Sequence, residues 1–344
     1  MKKSIISLVL ALVMVFSLVL VAAPQAQAAT HTDHCVCGGK ASGMPNHTCE
    51  TATAWIELTT AVLDAGDGTA YFLPAGNYYL GGNLEIEKRI NITTGATVTI
   101  CLNGYTLSNP QQSGAMAKND DDLRIFNLNR DNITLNICDC SANNTGAITS
   151  VSKKQGSIVF QQRNCATTFN LFGGTLSCSA TATNHGGLIR QYADVSSSNG
   201  AAKYPKTNHT FNMYGGVLKD GKVGEKEGVP YKGGNVAIYD KMNLYGGTIE
   251  GGSVYLAAAT GEHIEFKGVL NVYNTEKSVS LELDEGTTVN TTNMDSSLTY
   301  ANGALTKAGD TPATGDSANL VVMGLGLVLG VAGMACLLPK KQTV

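Results

Sequence analysis

Between residues 71 and 294, apolar positions recur at period two in short runs, separated by Gly, Asn, Thr and Ser rather than by charged helical stretches. "ATVTICLNGYTLSN" spaces Val98, Ile100, Leu102 and Tyr105 with polar residues, and "NITLNICDC" sets Ile133, Leu135 and Ile137 on one face. Alternation of this kind turns one face of a strand toward a core. The runs return about every ten to fifteen residues, punctuated by Gly and Asn, and predict an all-β body.

Internal repetition sets the architecture. "NLFGGTL" from Asn170, "NMYGGVL" from Asn212 and "NLYGGTI" from Asn243 are one unit written three times, with "LNVYN" from Leu270 as a degenerate echo. Each reads as strand, tight Gly-Gly corner, strand. The spacings of 42 and 31 residues fit a coil of about 20–25 residues per turn with insertions at one corner, which is a solenoid. Stacking the units predicts Leu171, Met213 and Leu244 in an interior row, with Phe172, Tyr214 and Tyr245 in the next outward row. Asn170, Asn212 and Asn243 then form an amide ladder. "TATNHGGLIRQYADVSSSNGAAKYPKTNH" and "KDGKVGEKEGVPYKGG" are read as the insertions, mapped to one face. A β-sandwich is the alternative fold, because Gly-Gly between strands occurs there too.

The body, from about Tyr71 to Thr292, resembles the right-handed parallel β-helix, and more narrowly the adhesin-like β-helical surface proteins of gut clostridia. Ahead of it, residues 51–70 carry Trp55, Ile56, Leu58 and Val62 at helix-like spacing, read as a cap over the solenoid's end or, alternatively, as a Trp-based ligand platform. Behind it, residues 295–311 read as a polar tether.

Both ends carry addresses. Residues 1–28 pair Lys2 and Lys3 with an apolar run and close on Ala26-Gln27-Ala28, a secretory signal peptide cleaved after Ala28. Residues 312–344 combine Pro312-Ala313-Thr314-Gly315, an apolar stretch over 320–338 read as a transmembrane helix, and Lys340 and Lys341. This order resembles the cell-wall sorting signal of Gram-positive surface proteins. The resemblance implies that a sortase cuts between Thr314 and Gly315 and joins Thr314 to peptidoglycan, on the outer face of the cell. The family pattern begins with Leu, where this chain has Thr311. A plain C-terminal membrane anchor is the alternative.

Composition then excludes one class of partner. With the ends set aside, acidic residues outnumber basic ones by six, so no basic surface for nucleic acid is expected. Cys336 leaves with the C-terminal segment, and the even remainder in an exported chain permits disulfides.

Candidate chemistry is sparse. Residues 29–50 form a Cys/His-rich module in which Cys35, Cys37, His47 and Cys49 make a donor set for structural zinc, with His34 or His31 able to replace His47. A disulfide clasp and reduced thiols are the other two readings. Cys138 and Cys140 share a face, and with Cys101, Cys165 and Cys178 they are read as an interior cysteine row. Parallel β-helices include pectate lyases and polygalacturonases, whose chemistry needs carboxylates converging on one groove. Asp120, Asp121 and Asp122 are the local candidates, of which only Asp120 and Asp122 share a strand face, and a solvated loop or edge guard is the leading reading of this run. "NHGGLIRQ", with His185 and Arg190, is weakly similar to polygalacturonase elements but lacks the paired Asp. Three functions remain: a non-enzymatic anchored surface protein that binds a glycan or host protein, a polysaccharide lyase or hydrolase, and a structural wall component.

Overall fold

The structure, a computed structural model, describes residues 31–37, 51–63, 70–109, 124–204 and 207–310. The chain divides into two compact units, Met1–Thr32 and Asp33–Val344, and every strand belongs to the second. Among the described residues all regular structure is β. Three parallel sheets dominate, of nine, six and ten strands, the last ending in an antiparallel hairpin.

The chain visits the sheets in a fixed cycle. Ala70–Leu73 lies in the ten-stranded sheet, Gly76–Tyr79 in the nine-stranded sheet and Leu84–Glu85 in the six-stranded sheet. Arg89–Ile92 then returns to the first, beside Ala70–Leu73. Repetition of this cycle builds a solenoid of three-sided coils, compatible with a parallel β-helix. Its interior is continuous and apolar, because period-two alternation turns every second residue inward. Val98, Leu135, Phe169, Phe211, Met242 and Leu270 hold one interior row through successive pairings, and Phe169 and Phe211 stack at 5.0 Å. Leu171, Met213 and Leu244 hold the next, as expected from the repeats.

The outward positions of the nine-stranded sheet are equally ordered. Asn170 Nδ2 donates to Asn136 Oδ1 at 2.8 Å, Asn212 to Asn170 at 2.8 Å, Asn243 to Asn212 at 2.6 Å and Asn271 to Asn243 at 2.7 Å. Asn136 extends the ladder down to Thr99, and Asn290 extends it up. Beside it, Phe172, Tyr214, Tyr245 and Tyr273 stack at 4.8, 4.7 and 4.5 Å. The second glycine of each repeat, at Gly174, Gly216 and Gly247, has a φ of 84°, 77° and 88°.

Several sequence expectations are corrected. "LIRQ" is not part of an insertion: Ile189–Gln191 is a strand of the ten-stranded sheet, and its Val236-to-Ile238 neighbour pairs with it. Insertions occur at two corners rather than one. The hairpins Ser197–Ser198/Ala201–Ala202 and Ala258–Thr260/Glu265–Lys267 follow strands of the ten-stranded sheet, and Glu225–Lys226/Val229–Pro230 precedes one. Residues 51–63 form two short strands and a turn instead of a helix: Ile56–Glu57 pairs onto Tyr78 and Tyr79 as the first strand of the nine-stranded sheet, and the Val62 and Leu63 N–H groups close a turn on the Thr59 carbonyl.

The tether is also revised. Leu298–Ala301 and Ala304–Lys307 form an antiparallel hairpin on the end of the ten-stranded sheet, burying Leu298 and Leu305 in the core. Its turn is Asn302-Gly303, both at positive φ, the two-residue hairpin geometry that Asn-Gly favours. The cysteines do not form one interior row. Cys178 joins the main core, Cys101 and Cys138 pair outward under the N-terminal segment, and Cys140 is exposed. Among the described residues no helix is long and apolar enough to cross a membrane, and residues 320–338 lie outside them.

A Cβ at Gly247 would lie 2.8 Å from the Gly216 carbonyl oxygen, at a φ that side chains rarely adopt. Gly247→Ala should therefore cost about 2–4 kcal/mol in denaturant unfolding. Gly82→Ala, which meets nothing within 4 Å, should cost less than about 0.5 kcal/mol. His209 is fully buried with Nδ1 2.9 Å from Thr167 Oγ1, and burial lowers its pKa from 6.5 to about 4. The unfolded chain therefore binds this proton first, and stability held above pH 6.5 is lost as pH falls toward 4. The loss, on the order of 2–3 kcal/mol, should disappear in His209→Gln when unfolding is compared at neutral and acidic pH.

Candidate functional site

The ten-stranded sheet presents an outward row through Phe72, Asn91, Asn127, Phe160, Arg190, Ala237, Tyr255 and Glu282, one residue per turn in register. Its lower half is quiet, with Asn127 Nδ2 donating to Asn91 Oδ1 at 3.3 Å. The upper half lies between the corners that carry the insertions, and charged and aromatic side chains gather there. Tyr192, Tyr239 and Asp284 occupy the next outward positions, two residues beyond Arg190, Ala237 and Glu282. The loops that lead into two successive strands of the sheet add His185 and, in contact with it, Tyr231 and Lys232.

Arg190 sits at the centre of this face and is only 4 % exposed. Its Nη1 donates to the His185 carbonyl at 3.0 Å, and its guanidinium lies 5.1 Å from the Tyr192 ring and 5.8 Å from Tyr239. Nε has no hydrogen-bond partner among the described residues. Burial lowers its pKa from the ordinary arginine value. Aromatic faces thus provide its main compensation. Arg163 continues the band, stacked 4.1 Å over Tyr204 and paired with Asp194.

His185 accepts the Lys232 backbone N–H at Nδ1, 2.8 Å away, which places its own proton on Nε2. Burial, then the Arg190 charge, lowers its pKa, so it is neutral at physiological pH. Burial works against the Asp284 carboxylate, but hydrogen bonds from Lys232, Tyr255 and the Ala258 N–H outweigh it and hold its pKa below the usual range. Glu282 accepts from Ser253 Oγ and the Gly233 N–H. Both carboxylates come from the end of one strand and are engaged by neighbours, which fits them to positioning rather than proton transfer.

A second cluster lies under the N-terminal segment, on the outer face of the nine-stranded sheet. His34–Cys35 pairs antiparallel with Thr51–Ala52, and Trp55 stacks on His34 at 4.8 Å while donating to the Ala52 carbonyl. Cys35, Val36, Cys37 and Trp55 pack against Cys101, Cys138, Phe172, Tyr214 and Tyr245. Cys35 is disulfide-bonded, so it offers no thiolate, and the zinc set that used it does not stand in this structure. His47 and Cys49 lie outside the described residues. The donors brought together instead include His34, Cys101 and Cys140, whose ligand atoms lie within 4.8 Å of one another. This His/Cys group has the chemistry to hold a metal ion.

Of the other sequence candidates, Asp120, Asp121, Asp122, Thr311, Pro312, Ala313, Thr314 and Gly315 lie outside the described residues. His185 and Arg190 are brought together, though by a backbone contact of His185. The sequence reading missed Tyr192, Tyr231, Lys232, Tyr239, Tyr255, Glu282 and Asp284. A partial signal was present: "VYL" and "LELD" alternate apolar residues with Tyr255, Glu282 and Asp284, whereas "IRQY" and "VAIYD" interrupt the pattern with Gln191 and Ala237. No protein-family model, curated protein or solved structure matches the chain.

Proposed function

We propose that the chain is a non-enzymatic surface protein, exported, anchored to peptidoglycan by a sortase, whose right-handed parallel β-helix binds a glycan through the Arg190 face. The observation that carries the binding reading is the convergence of Arg190, Tyr239, Tyr255, Lys232 and Asp284 from four turns between the insertion corners. Aromatic rings beside fixed donors and acceptors suit a hydroxylated sugar ring, which needs an apolar face covered and its hydroxyls paired. A host protein displaying such sugars is an equivalent partner. The anchoring reading rests on the order Pro312-Ala313-Thr314-Gly315, apolar stretch, lysines.

The alternative, a polysaccharide lyase or hydrolase, calls for two acids placed across a groove. Glu282, in the strand Val279–Leu283, and Asp284, just past its end, stand two residues apart on one side and are both hydrogen-bonded, an arrangement that favours binding over hydrolysis. A structural wall component, the third reading, calls for no soluble ligand.

The test is a glycan array probed with the full chain. Binding is expected, and Tyr231→Ala and Lys232→Ala, both partly exposed, should each weaken it by about tenfold. Binding unchanged in both variants, or no binding to any glycan or mucin, overturns the reading, and turnover of a bound polysaccharide revives the enzyme. For anchoring, wild-type chain should appear on muramidase-released wall fragments and Thr314→Ala should not.

A further inference from the structure

We infer that His34, Cys101 and Cys140 form a zinc site that clasps the N-terminal segment onto the solenoid. The three donors come from segments far apart in the chain: the strand His34–Cys35, the end of Thr97–Cys101, and the corner just after Ile133–Cys138. Their ligand atoms already lie within 4.8 Å of one another. Tetrahedral zinc with bonds of about 2.0–2.3 Å brings its donors to roughly 3.3–3.8 Å, so a side-chain adjustment of about an ångström closes the set.

Three features separate this cluster from a chance meeting of polar groups. His34 Nδ1 lies 2.9 Å from the Cys35 carbonyl oxygen, which accepts the Nδ1 proton and leaves Nε2 as the ligating nitrogen. That second contact is the usual support of a metal-bound imidazole. The Trp55 ring, stacked 4.8 Å from His34, fixes the imidazole plane. A cavity of about 460 Å³ lined by His34, Cys140, Asp139 and Ser141 gives an ion access from solvent. Two thiols and an imidazole are soft and borderline ligands, which select zinc over magnesium or calcium.

Binding is a proton exchange. Zn²⁺ enters, the Cys101 and Cys140 thiols each lose a proton to solvent, and two Zn–S bonds form with no change in oxidation state. The bound ion ties residues 34–37 to the third and fourth strands of the nine-stranded sheet. It thereby holds Cys35, Val36, Cys37 and Trp55 over the outward row of Cys101, Cys138, Phe172 and Tyr214. This role is independent of the glycan face, which lies on another sheet.

The test is zinc titration of the full chain, purified metal-free under argon without added reductant so that the Cys35 disulfide is kept, read by equilibrium dialysis and by emission of Trp55, the chain's one tryptophan. One zinc per chain is expected, with a matching change in emission. Cys140 is exposed, so Cys140→Ser leaves the core intact. It and His34→Ala should each weaken binding by at least about tenfold, while Cys178→Ala, in the main core, should bind as wild type. No retained zinc, equal affinity in Cys140→Ser and His34→Ala, or peptide mapping that recovers Cys101 joined to Cys140 as a disulfide in the native protein, each overturns the assignment.

Discussion

Every strand of the solenoid satisfies its backbone through the turns above and below it, so each turn must repeat the register of its neighbour. A slip of one residue would exchange the core face for the solvent face along the whole strand. The interior rows enforce register through packing, and the asparagine ladder enforces it through direction. Each Asn carbonyl accepts from the amide above while its own amide donates below. Neutral hydrogen bonds of this kind are worth about 0.5–1.5 kcal/mol each, so the ladder's six links are small beside the buried core. Their value lies in specificity, because a slipped strand would place Thr or an apolar residue opposite an unpaired amide.

The same constraint divides the surface. Positions inside a ladder are fixed by the turn beneath, whereas a corner residue belongs to no ladder and tolerates extra chain. Insertions therefore collect at corners, and those bordering the ten-stranded sheet supply His185, Tyr231 and Lys232 to its outer face. Along the nine-stranded sheet the corner is instead the Gly-Gly turn, where Gly247 approaches the Gly216 carbonyl too closely for a side chain. One side of the coil is thus closed to variation while the other is open to it.

Register also decides what could be read from the chain. The Gly-Gly units, the asparagine ladder and the aromatic row were legible because stacking repeats the same residue at the same height, and Asn170, Asn212 and Asn243 simply spell it out. The Arg190 face was not. Its row runs Phe160, Arg190, Ala237, Tyr255, Glu282, with no repetition, since complementarity between unlike groups is what holds it. The terminal hairpin was missed for a different reason: Leu298 to Lys307 alternates like the coil strands, and only the Asn302-Gly303 turn marks its reversal. His34, Cys101 and Cys140 meet only because the N-terminal segment folds back across two turns, a long-range contact without local pattern.

The two candidate sites obey opposite physical rules, and this explains their placement. Arg190 is a buried cation compensated mainly by rings, so its charge remains strong at short range and a polar ligand can exploit it. Such a site needs a rigid floor, and the middle of a ten-stranded sheet, paired on both sides, supplies one. The His34 cluster joins a short two-residue strand to a coil, and a segment with so little backbone pairing needs an added cross-link to stay ordered. Cys35 of that segment is spent in a disulfide, whereas the free thiols of Cys101 and Cys140 face it from the solenoid. The proposed cross-link therefore sits where pairing is weakest, and the proposed ligand face where pairing is strongest.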